Sequence, residues 1–293
     1  LLVFFSRKSY SQQDNTDYAS SFSEITFTLP SYVTITGGVG NIEPLVSEVN
    51  FSPDNLFFLG KTKKVGFELS PRIVFRSYSF SSFPIRTPSY ILKGTFFYKI
   101  ENSLSNNLII PYISLGHHSN GQDGNAINPD SSINHLTGSF EDNYAIAGMM
   151  LLNPNSQRFN PLSTVRLFAS YNYVGPRILL SLYGKYRFNA EIESVFFIDS
   201  PRKNGEINSI GGKSKITGLL QLEYIGGPLI ENEDLFSKRL IASYSLFYQP
   251  AFLGPFSIFT RFYYGQDYYN INFNRSLSVI QFGIAMNNLK LWH

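Results

Sequence analysis

The feature that most constrains the fold is an alternation of apolar and polar residues that recurs along the chain. Successive side chains of a β-strand point to opposite faces, so a strand buried on one face shows a period of two residues. From Tyr90 to Ile100 the even positions are apolar or glycine, whereas Lys93, Thr95 and Lys99 lie between them. The same pattern recurs in segments 162–174, 178–188, 216–224, 240–248, 256–264 and 280–286. The chain is therefore predicted to be all-β.

Segment length and composition favour a membrane barrel over a soluble β protein. Each segment has about ten residues, which is enough to cross a bilayer when the strand is tilted. Aromatic residues make up 16% of the chain and charged residues only 15%, against about 25% charged in soluble domains. A soluble β-sandwich or a lipocalin-like barrel also alternates, but Lys and Arg in mid-strand suit a hydrated lumen better than a packed interior. We predict an antiparallel transmembrane β-barrel in a bacterial outer membrane.

The chain is predicted to form one barrel domain with an N-terminal extension. Residues 64–293 are assigned to the barrel, with the candidate catalytic strand at 107–121. Residues 1–63 alternate less cleanly and contain a glycine-rich stretch at 37–40. They are predicted to form a periplasmic extension or a lumen plug, with room for early strands. Gly175 and Pro176 predict a direct hairpin between segments 162–174 and 178–188.

Charge and cysteine content exclude several classes of function. The net charge is +3 with scattered basic residues, so no nucleic-acid partner is expected. There is no Cys, which rules out disulfides and a thiol nucleophile. The longest apolar run, 144–152, is too short for a transmembrane helix.

The segment 111–121 carries the most informative set of polar residues. Its odd positions are the more apolar, so His117 and Ser119 are predicted to lie on the lipid-facing side, with His118 pointing into the lumen. Two residues apart on a strand, an imidazole and a hydroxyl are neighbours, and the imidazole can accept the hydroxyl proton to make a nucleophile. The simpler interpretation is a polar strand end that runs into an Asn-Gly hairpin turn.

A serine nucleophile also needs a group that orients the imidazole and donors for the oxyanion. Asn134, predicted at the start of the next strand, is the candidate orienting residue. A neutral amide suits a lipid-exposed position, where an ionised Asp would be costly to desolvate. The backbone amide of Gly121 is the candidate oxyanion donor.

Three segments, in order along the chain, resemble the outer-membrane phospholipase A family. The sequence His117-His118-Ser119-Asn120-Gly121 is similar to the family's H-x-S-N-G, and 130–134 to its S-x-x-W-N, with Asp130 and Ile133 replacing Ser and Trp. Segment 81–87 is similar to S-S-P-F-R-E-T with one extra residue. Segment 269–275, followed by 282–288, looks like the family's Y-N-F-N-Q and its closing strand.

The resemblance implies a twelve-stranded barrel that hydrolyses acyl esters of membrane phospholipids, a carboxylic ester hydrolase of the phospholipase A1/A2 type. His117 would be the base, Ser119 the nucleophile and Asn134 the orienting residue. It also implies activation by calcium and by homodimerisation. The calcium ligands would be the carbonyl of Gln122, Asp130 or the adjacent Ser131, and Ser82 as the ligand that the second subunit supplies.

Two other functions remain open from the sequence. One is a catalytically silent barrel that serves as a structural or transport component of an outer-membrane complex, and the departures at Gln122 and Ile133 leave room for it. The other is a lipopolysaccharide deacylase, because another outer-membrane lipid hydrolase family uses an H-x-S-N pair. Those barrels are shorter, and the C-terminal match does not fit them.

Overall fold

The structure is a computed structural model that describes residues 25–101, 107–153, 162–174, 177–198, 214–227, 229 and 236–286. Within these ranges the strands are β1 (Ser31–Thr34), β2 (Leu45–Phe51), β3 (Asn55–Leu59), β4 (Val65–Tyr78), β5 (Ser89–Tyr98), β6 (Ile100–Glu101), β7 (Leu108–Ser119), β8 (Glu141–Leu152), β9 (Leu162–Val174), β10 (Tyr186–Ile198), β11 (Ser214–Gly226), β12 (Leu240–Gln249), β13 (Phe256–Gln266) and β14 (Ser276–Met286). The helices are α1 (Arg177–Tyr183) and α2 (Phe236–Arg239), with 3-10 turns at Ala251–Leu253 and Asn272–Asn274. The all-β prediction is confirmed.

The strands form one antiparallel sheet that closes into a twelve-stranded barrel. Closure comes from β1, which pairs with β14 on one side and with β2 on the other. β2 and β3 pair with successive halves of β4 and form a single interrupted strand, and β6 continues the edge of β5 along β7. A closed sheet leaves no open edge of unpaired backbone groups.

The outer face of the barrel wall is apolar, as the alternation predicts. Along β14 every second residue from Leu277 is buried, and the intervening residues Ile280, Phe282 and Ile284 are exposed. In β7, Ile113 is 62% and Leu115 69% exposed. Large apolar side chains that point outward from a closed barrel are what a hydrocarbon solvent stabilises.

The inner face carries charged side chains that are paired across the lumen. Arg76 of β4 donates from Nε to Glu48 at 2.8 Å and, through both Nη atoms, to the carboxylate of Asp267 at 2.9 Å. Its Nη1 also lies 3.1 Å from Glu43 Oε2. These four side chains, called the lumen ion cluster below, are all buried. Buried charges need such partners, because an unpaired one is costly to desolvate.

Residues 25–30 enter the barrel and fill part of its interior. Ile25 and Phe27 are buried against a group of inward-facing apolar residues, Phe97, Ile110, Tyr112, Met150 and Leu152. Lys93 Nζ donates to the carbonyl of Phe27 at 2.6 Å, which anchors the backbone of this segment. Each large apolar side chain buried in this way contributes roughly 1.5–3 kcal/mol.

The predicted boundary at residue 64 falls inside the barrel. β1, β2 and β3 all pair with other barrel strands, so the wall begins at Ser31 and not at residue 64. The short, interrupted strands explain why this region alternates weakly in sequence. The preceding segment 25–30 lies in the lumen, and residues 1–24 of the predicted extension lie outside the described residues.

The predicted strand at 178–188 is wrong over its first half. Residues 177–183 form α1, and the strand β10 starts at Tyr186. Leu179 of α1 is fully buried beside Ile133, Phe140, Ile271 and Phe273, which are called the mouth cluster below together with Leu179. Leu179, Leu180 and Leu182 of α1 therefore pack at the end of the barrel rather than extend its wall. No helix in the described ranges is long and apolar enough to cross a membrane.

Candidate active site

Strand β7 presents two neighbouring polar side chains on the outside of the wall. The predicted phase is confirmed: Ile113 and Leu115 are exposed, whereas His118 is 6% exposed and packs edge-on against Phe140 with 4.9 Å between ring centroids. His117 and Ser119, at the loop end of the strand, are both half-buried on the outer side. They therefore lie on the same surface as the apolar belt, at its rim.

His117 has a hydrogen-bond partner on the adjacent strand. The register of β7 and β8 places His117 directly opposite Asn143. His117 Nδ1 and Asn143 Oδ1 are 2.8 Å apart. Because the amide oxygen can only accept, Nδ1 carries the proton and donates it, which leaves Nε2 as the acceptor of the ring. This is the tautomer that a base acting on a serine hydroxyl requires.

The side chain of Ser119 points to the same outer surface as the ring of His117. Among the described residues no hydrogen bond joins Ser119 to His117. Such contacts often form only when substrate is bound.

The predicted orienting residue, Asn134, does not contact His117. Its Nδ2 donates to the carbonyl of Asn125 at 3.0 Å and to Thr137 Oγ1 at 2.9 Å, and its Oδ1 accepts from the backbone amides of Leu136 and Thr137. All these groups belong to the same loop, 120–140. The assignment of the orienting contact to Asn134 is therefore corrected: the loop uses this amide to hold its own turn, and the strand that pairs with His117 begins only at Glu141.

Asn120 holds the two ends of loop 120–140 together. Its Nδ2 donates to the carbonyl of Gly138 at 2.7 Å, and its Oδ1 accepts from the backbone amides of Gln122 at 3.2 Å and Phe140 at 3.0 Å. Its own amide donates to the carbonyl of Phe140 at 3.1 Å. The side chain is buried, so these four bonds fix the backbone that directly follows Ser119.

The backbone amide of Gly121 is placed as a candidate oxyanion donor. The amides on either side, of Asn120 and Gln122, are taken by the bonds just described. For the Gly121 amide, no acceptor is found within the part of the chain that the structure describes. Gly121 has φ +65°, a left-handed conformation that favours glycine. An amide left free beside a nucleophile can donate to a developing oxyanion.

The four residues predicted to bind calcium are not brought together by contacts in one chain. The Gln122 side chain donates to Thr87 Oγ1. Asp130 Oδ1 accepts from the amide of Ser132 at 3.0 Å and from its hydroxyl at 2.6 Å, and these bonds lower the pKa of the Asp130 carboxyl. Ser131 has φ +67° in the same turn, and Ser82 has φ +69° in loop 79–88. Among the described residues no three His, Asp or Glu side chains form a metal-binding group. The described side chains of one chain therefore show no preformed carboxylate group for calcium.

The loop end of the barrel is covered by three segments that pack on one another. Loop 120–140 contributes Ile133 and Phe140 to the mouth cluster, α1 contributes Leu179, and residues 267–275 contribute Ile271 and Phe273. His135 Nδ1 lies 2.9 Å from Asn272 Oδ1 and joins two of these segments. Burial and then the charge of Arg275 lower the pKa of His135 below its ordinary value. The closed mouth supports the loop that carries Asn120 and Gly121.

Sequence reasoning missed Asn143 and the adjacent Glu141. Both lie on the outer face of β8, because Asn143 pairs with His117 and Glu141 with Ser119. The alternation of inward and outward residues along β8 indicates that Asn143 faces outward. Counting back from the outward Ala147 and Ala145 reaches Asn143, the first amide in phase with the outer surface.

The closed barrel with an apolar outer face defines the class of fold, a twelve-stranded barrel like that of outer-membrane phospholipase A. The His-Asn pair lies on that outer face. One similar structure is outer membrane phospholipase A from Escherichia coli, with a TM-score of 0.54, 13% identity and coverage of 89% of this chain and 93% of that chain. A second is the Salmonella typhi outer membrane phospholipase dimer with bound calcium, with a TM-score of 0.54, 15% identity and coverage of 92% and 97%.

A third similar structure is an active-site mutant of the E. coli protein at pH 6.1, in which an asparagine is replaced by alanine. Its TM-score is 0.56 at 14% identity, and coverage is 92% of this chain and 97% of that chain. No protein-family profile and no curated protein sequence matches this chain. At these identities the likeness establishes the fold.

Proposed function

We propose that this protein is an outer-membrane phospholipase that hydrolyses acyl esters of phospholipids with Ser119 as nucleophile, His117 as base and Asn143 as orienting residue. The observation that carries the proposal is the 2.8 Å contact between His117 Nδ1 and Asn143 Oδ1. It lies on the outer side of the wall, where Ser119 is the next outward residue of β7. An oriented imidazole beside a hydroxyl is the arrangement that makes serine nucleophilic.

The location of the pair favours a lipid substrate. The outer face below His117 carries Leu115 and Ile113, which the hydrocarbon of a bilayer would contact. His117 and Ser119 both lie at the loop end of this belt, where we expect the ester groups between acyl chains and headgroups. A phospholipid in the surrounding membrane can therefore present its ester to Ser119 without leaving the bilayer. The outer membrane is the location proposed for the barrel.

The proposed reaction uses side chains and backbone of this chain. His117 Nε2 takes the proton of Ser119 Oγ as Oγ attacks the ester carbonyl carbon, and the Gly121 amide donates to the resulting oxyanion. When the tetrahedral intermediate collapses, the C–O bond to the lysophospholipid breaks and His117 returns the proton to that oxygen. Water then attacks the acyl-enzyme with His117 again as base, the bond between Ser119 Oγ and the acyl carbon breaks, and His117 returns the proton to Oγ as the fatty acid leaves. Asn143 holds the ring through Nδ1–H in both steps.

Calcium and a second subunit enter the proposal only through the similar structures. The Salmonella protein forms a dimer with bound calcium, and the resemblance implies a calcium-dependent homodimer here. The described side chains of one chain show no preformed carboxylate group for calcium, so the steps above do not pass through the ion. The assay therefore compares calcium with chelator.

The test is release of fatty acid from a fluorescent phospholipid by purified protein in detergent micelles. Wild type, Ser119→Ala and His117→Ala are each assayed with calcium and with chelator, and Ser139→Ala, in the same loop, serves as the matched serine control. We expect Ser119→Ala and His117→Ala to lose activity by at least about 10³-fold and Ser139→Ala to retain it. Equal release by all four proteins would contradict the proposal and favour a catalytically silent barrel.

A further inference from the structure

Both polar atoms of the side-chain amide of Asn143 are hydrogen-bonded. Its Oδ1 accepts from His117 Nδ1 at 2.8 Å, and its Nδ2 donates to Glu141 Oε1 at 3.2 Å. Three side chains thus form a chain of hydrogen bonds along the outer face of β7 and β8. Glu141 is exposed, begins β8 and lies opposite Ser119 in the register of the two strands.

We propose that Glu141 is a positioning residue for hydrolysis, which acts on His117 through Asn143. The inference rests on the proposed function. A carboxylate has acceptors only, so the group of Asn143 that faces Glu141 must be the NH₂. The opposite side of the amide is then the oxygen, and that oxygen faces His117. Glu141 therefore determines which end of Asn143 the imidazole meets.

The orientation of the amide decides the protonation of the imidazole. With the oxygen of Asn143 facing Nδ1, the ring carries its proton on Nδ1 and offers the Nε2 lone pair to Ser119. With the amide flipped, the NH₂ faces Nδ1, the proton moves to Nε2, and the ring has no lone pair for the serine hydroxyl. An unrestrained Asn side chain can adopt either orientation. Glu141 favours the active one.

We expect Glu141 to act mainly by orienting the amide of Asn143 and much less through its own charge. Glu141 is exposed, and exposed charges are screened by water, so its direct attraction for an imidazolium is small. A hydrogen bond to an ionised acceptor is stronger than one between neutral groups. Glu141→Gln retains an acceptor oxygen but adds a donor that can bond the flipped amide. We therefore expect Glu141→Gln to lie between wild type and Glu141→Ala.

The kinetic test separates a positioning role from a structural one. The hydrolysis rate is measured against substrate concentration for Glu141→Ala, Glu141→Gln, Asn143→Ala and the double variant Asn143→Ala/Glu141→Ala. Asp123→Ala, which removes an exposed carboxylate from loop 120–140, is the matched control. Folding of each variant is checked by its mobility on unheated gels.

We expect Glu141→Ala to lower kcat about tenfold with little change in KM, and Asp123→Ala to leave both unchanged. Because Glu141 acts through Asn143, adding Glu141→Ala to Asn143→Ala is expected to cost less than about twofold more. A full tenfold loss in the Asn143→Ala background, or a loss in KM alone, would overturn the inference.

A second measurement does not depend on activity. ¹⁵N NMR of histidine-labelled protein in micelles reports which ring nitrogen of His117 carries the proton, with His117→Ala used to assign the signal. We expect Nδ1–H in wild type and a mixture of tautomers in Glu141→Ala. If wild type showed no Ser119-dependent hydrolysis, the proposed function would be wrong. The change of His117 tautomer in Glu141→Ala would still support the chain of hydrogen bonds. An active wild type whose His117 tautomer is unchanged in Glu141→Ala would overturn the role of Glu141 alone.

Discussion

His117 of β7 and Asn143 of β8 face each other across adjacent strands, with 2.8 Å between Nδ1 and Oδ1, on the side of the wall that also carries Ile113 and Leu115. The side chains of His118, the next residue of β7, and of Asp142, the preceding residue of β8, are buried on the opposite side. The pairing of two strands thus separates a polar pair on the outer face from one enclosed by the barrel. The predictions below test this arrangement and its support.

Replacing Asn143 should impair hydrolysis, whereas replacing Asn134 should not impair it comparably. Asn143→Ala removes the acceptor that holds His117, and loss of a hydrogen bond to a group that becomes charged corresponds to roughly 10- to 100-fold in kcat. Asn134→Ala disturbs only contacts within loop 120–140. The measurement is kcat of both variants on the fluorescent phospholipid. A larger loss in Asn134→Ala would restore that residue as the orienting group.

Removing Arg76 should destabilise the barrel far more than removing Arg275. Arg76→Met leaves the buried carboxylates of Glu48 and Asp267 without their main partner, which costs about 3–5 kcal/mol. Arg275 makes a 3.2 Å ion pair with Glu43 and is partly exposed, so Arg275→Met should cost no more than about 1 kcal/mol. The free energy of unfolding in guanidinium, measured in micelles, gives both values. Similar losses would show that the lumen ion cluster does not stabilise the fold.

A charge placed on the outer belt should be costly only where lipid contacts the protein. Ile113 in mid-strand and Leu136 in loop 120–140 are similarly exposed, at 62% and 70%. Ile113→Arg should destabilise the bilayer-inserted barrel by about 2–4 kcal/mol, and Leu136→Arg should have little effect. Unfolding in lipid vesicles measures the difference. Equal effects would argue that Ile113 does not face hydrocarbon.

Acidification should loosen the mouth of the barrel through His135. Burial and the nearby Arg275 lower the pKa of this imidazole, so the unfolded loop binds a proton more readily than the folded one. The penalty is absent above the ordinary histidine pKa of about 6.5 and grows as the pH falls below it, until the lowered pKa is passed. Hydrogen exchange of the loop 120–140 amides at pH 7.5 and 5.5 should show this loss of protection.

The control for this pH effect is His135→Gln, which keeps a polar side chain opposite Asn272 without a group that titrates in this range. Its loop should lose less protection on acidification than the wild-type loop. If both proteins respond equally, another group is responsible.

The barrel and its inside-out pattern could be predicted from sequence because both depend on the local period of two. The phase of β7 needs only the neighbours Ile113 and Leu115, and so the faces of His117 and His118 could be assigned before any partner strand was known. The prediction of a strand was wrong at α1, where Leu179 and Leu180 are apolar for a different reason. They pack in the mouth of the barrel, and alternation over a short stretch does not distinguish the two.

The proposed orienting residue, Asn143, could not be predicted with the same ease, because its place opposite His117 depends on the register between strands. Motif spacing pointed to Asn134, but the loop between β7 and β8 extends to Phe140 and folds on itself, which moves the start of β8 to Glu141. Only the pairing of whole strands places Asn143 opposite His117. The predicted start of the barrel at residue 64 was wrong for a related reason. β1, β2 and β3 are short strands, and their place in the wall is set by pairing with β14 and β4.

The filling of the barrel by its own chain gives the two faces of the sheet different tasks. The segment 25–30 and Asp267 of the lumen ion cluster both line an inner cavity of about 360 Å³, which His118, Arg187 and Arg261 line as well. Side chains of this chain therefore occupy part of the lumen, whereas the exposed large apolar side chains of the wall point away from it. The proposed hydrolysis thus uses the outer face of the sheet, and the filling of the lumen uses the inner face. Substitutions on the outer face would act on the proposed hydrolysis, and substitutions in the mouth cluster would reach it through loop 120–140.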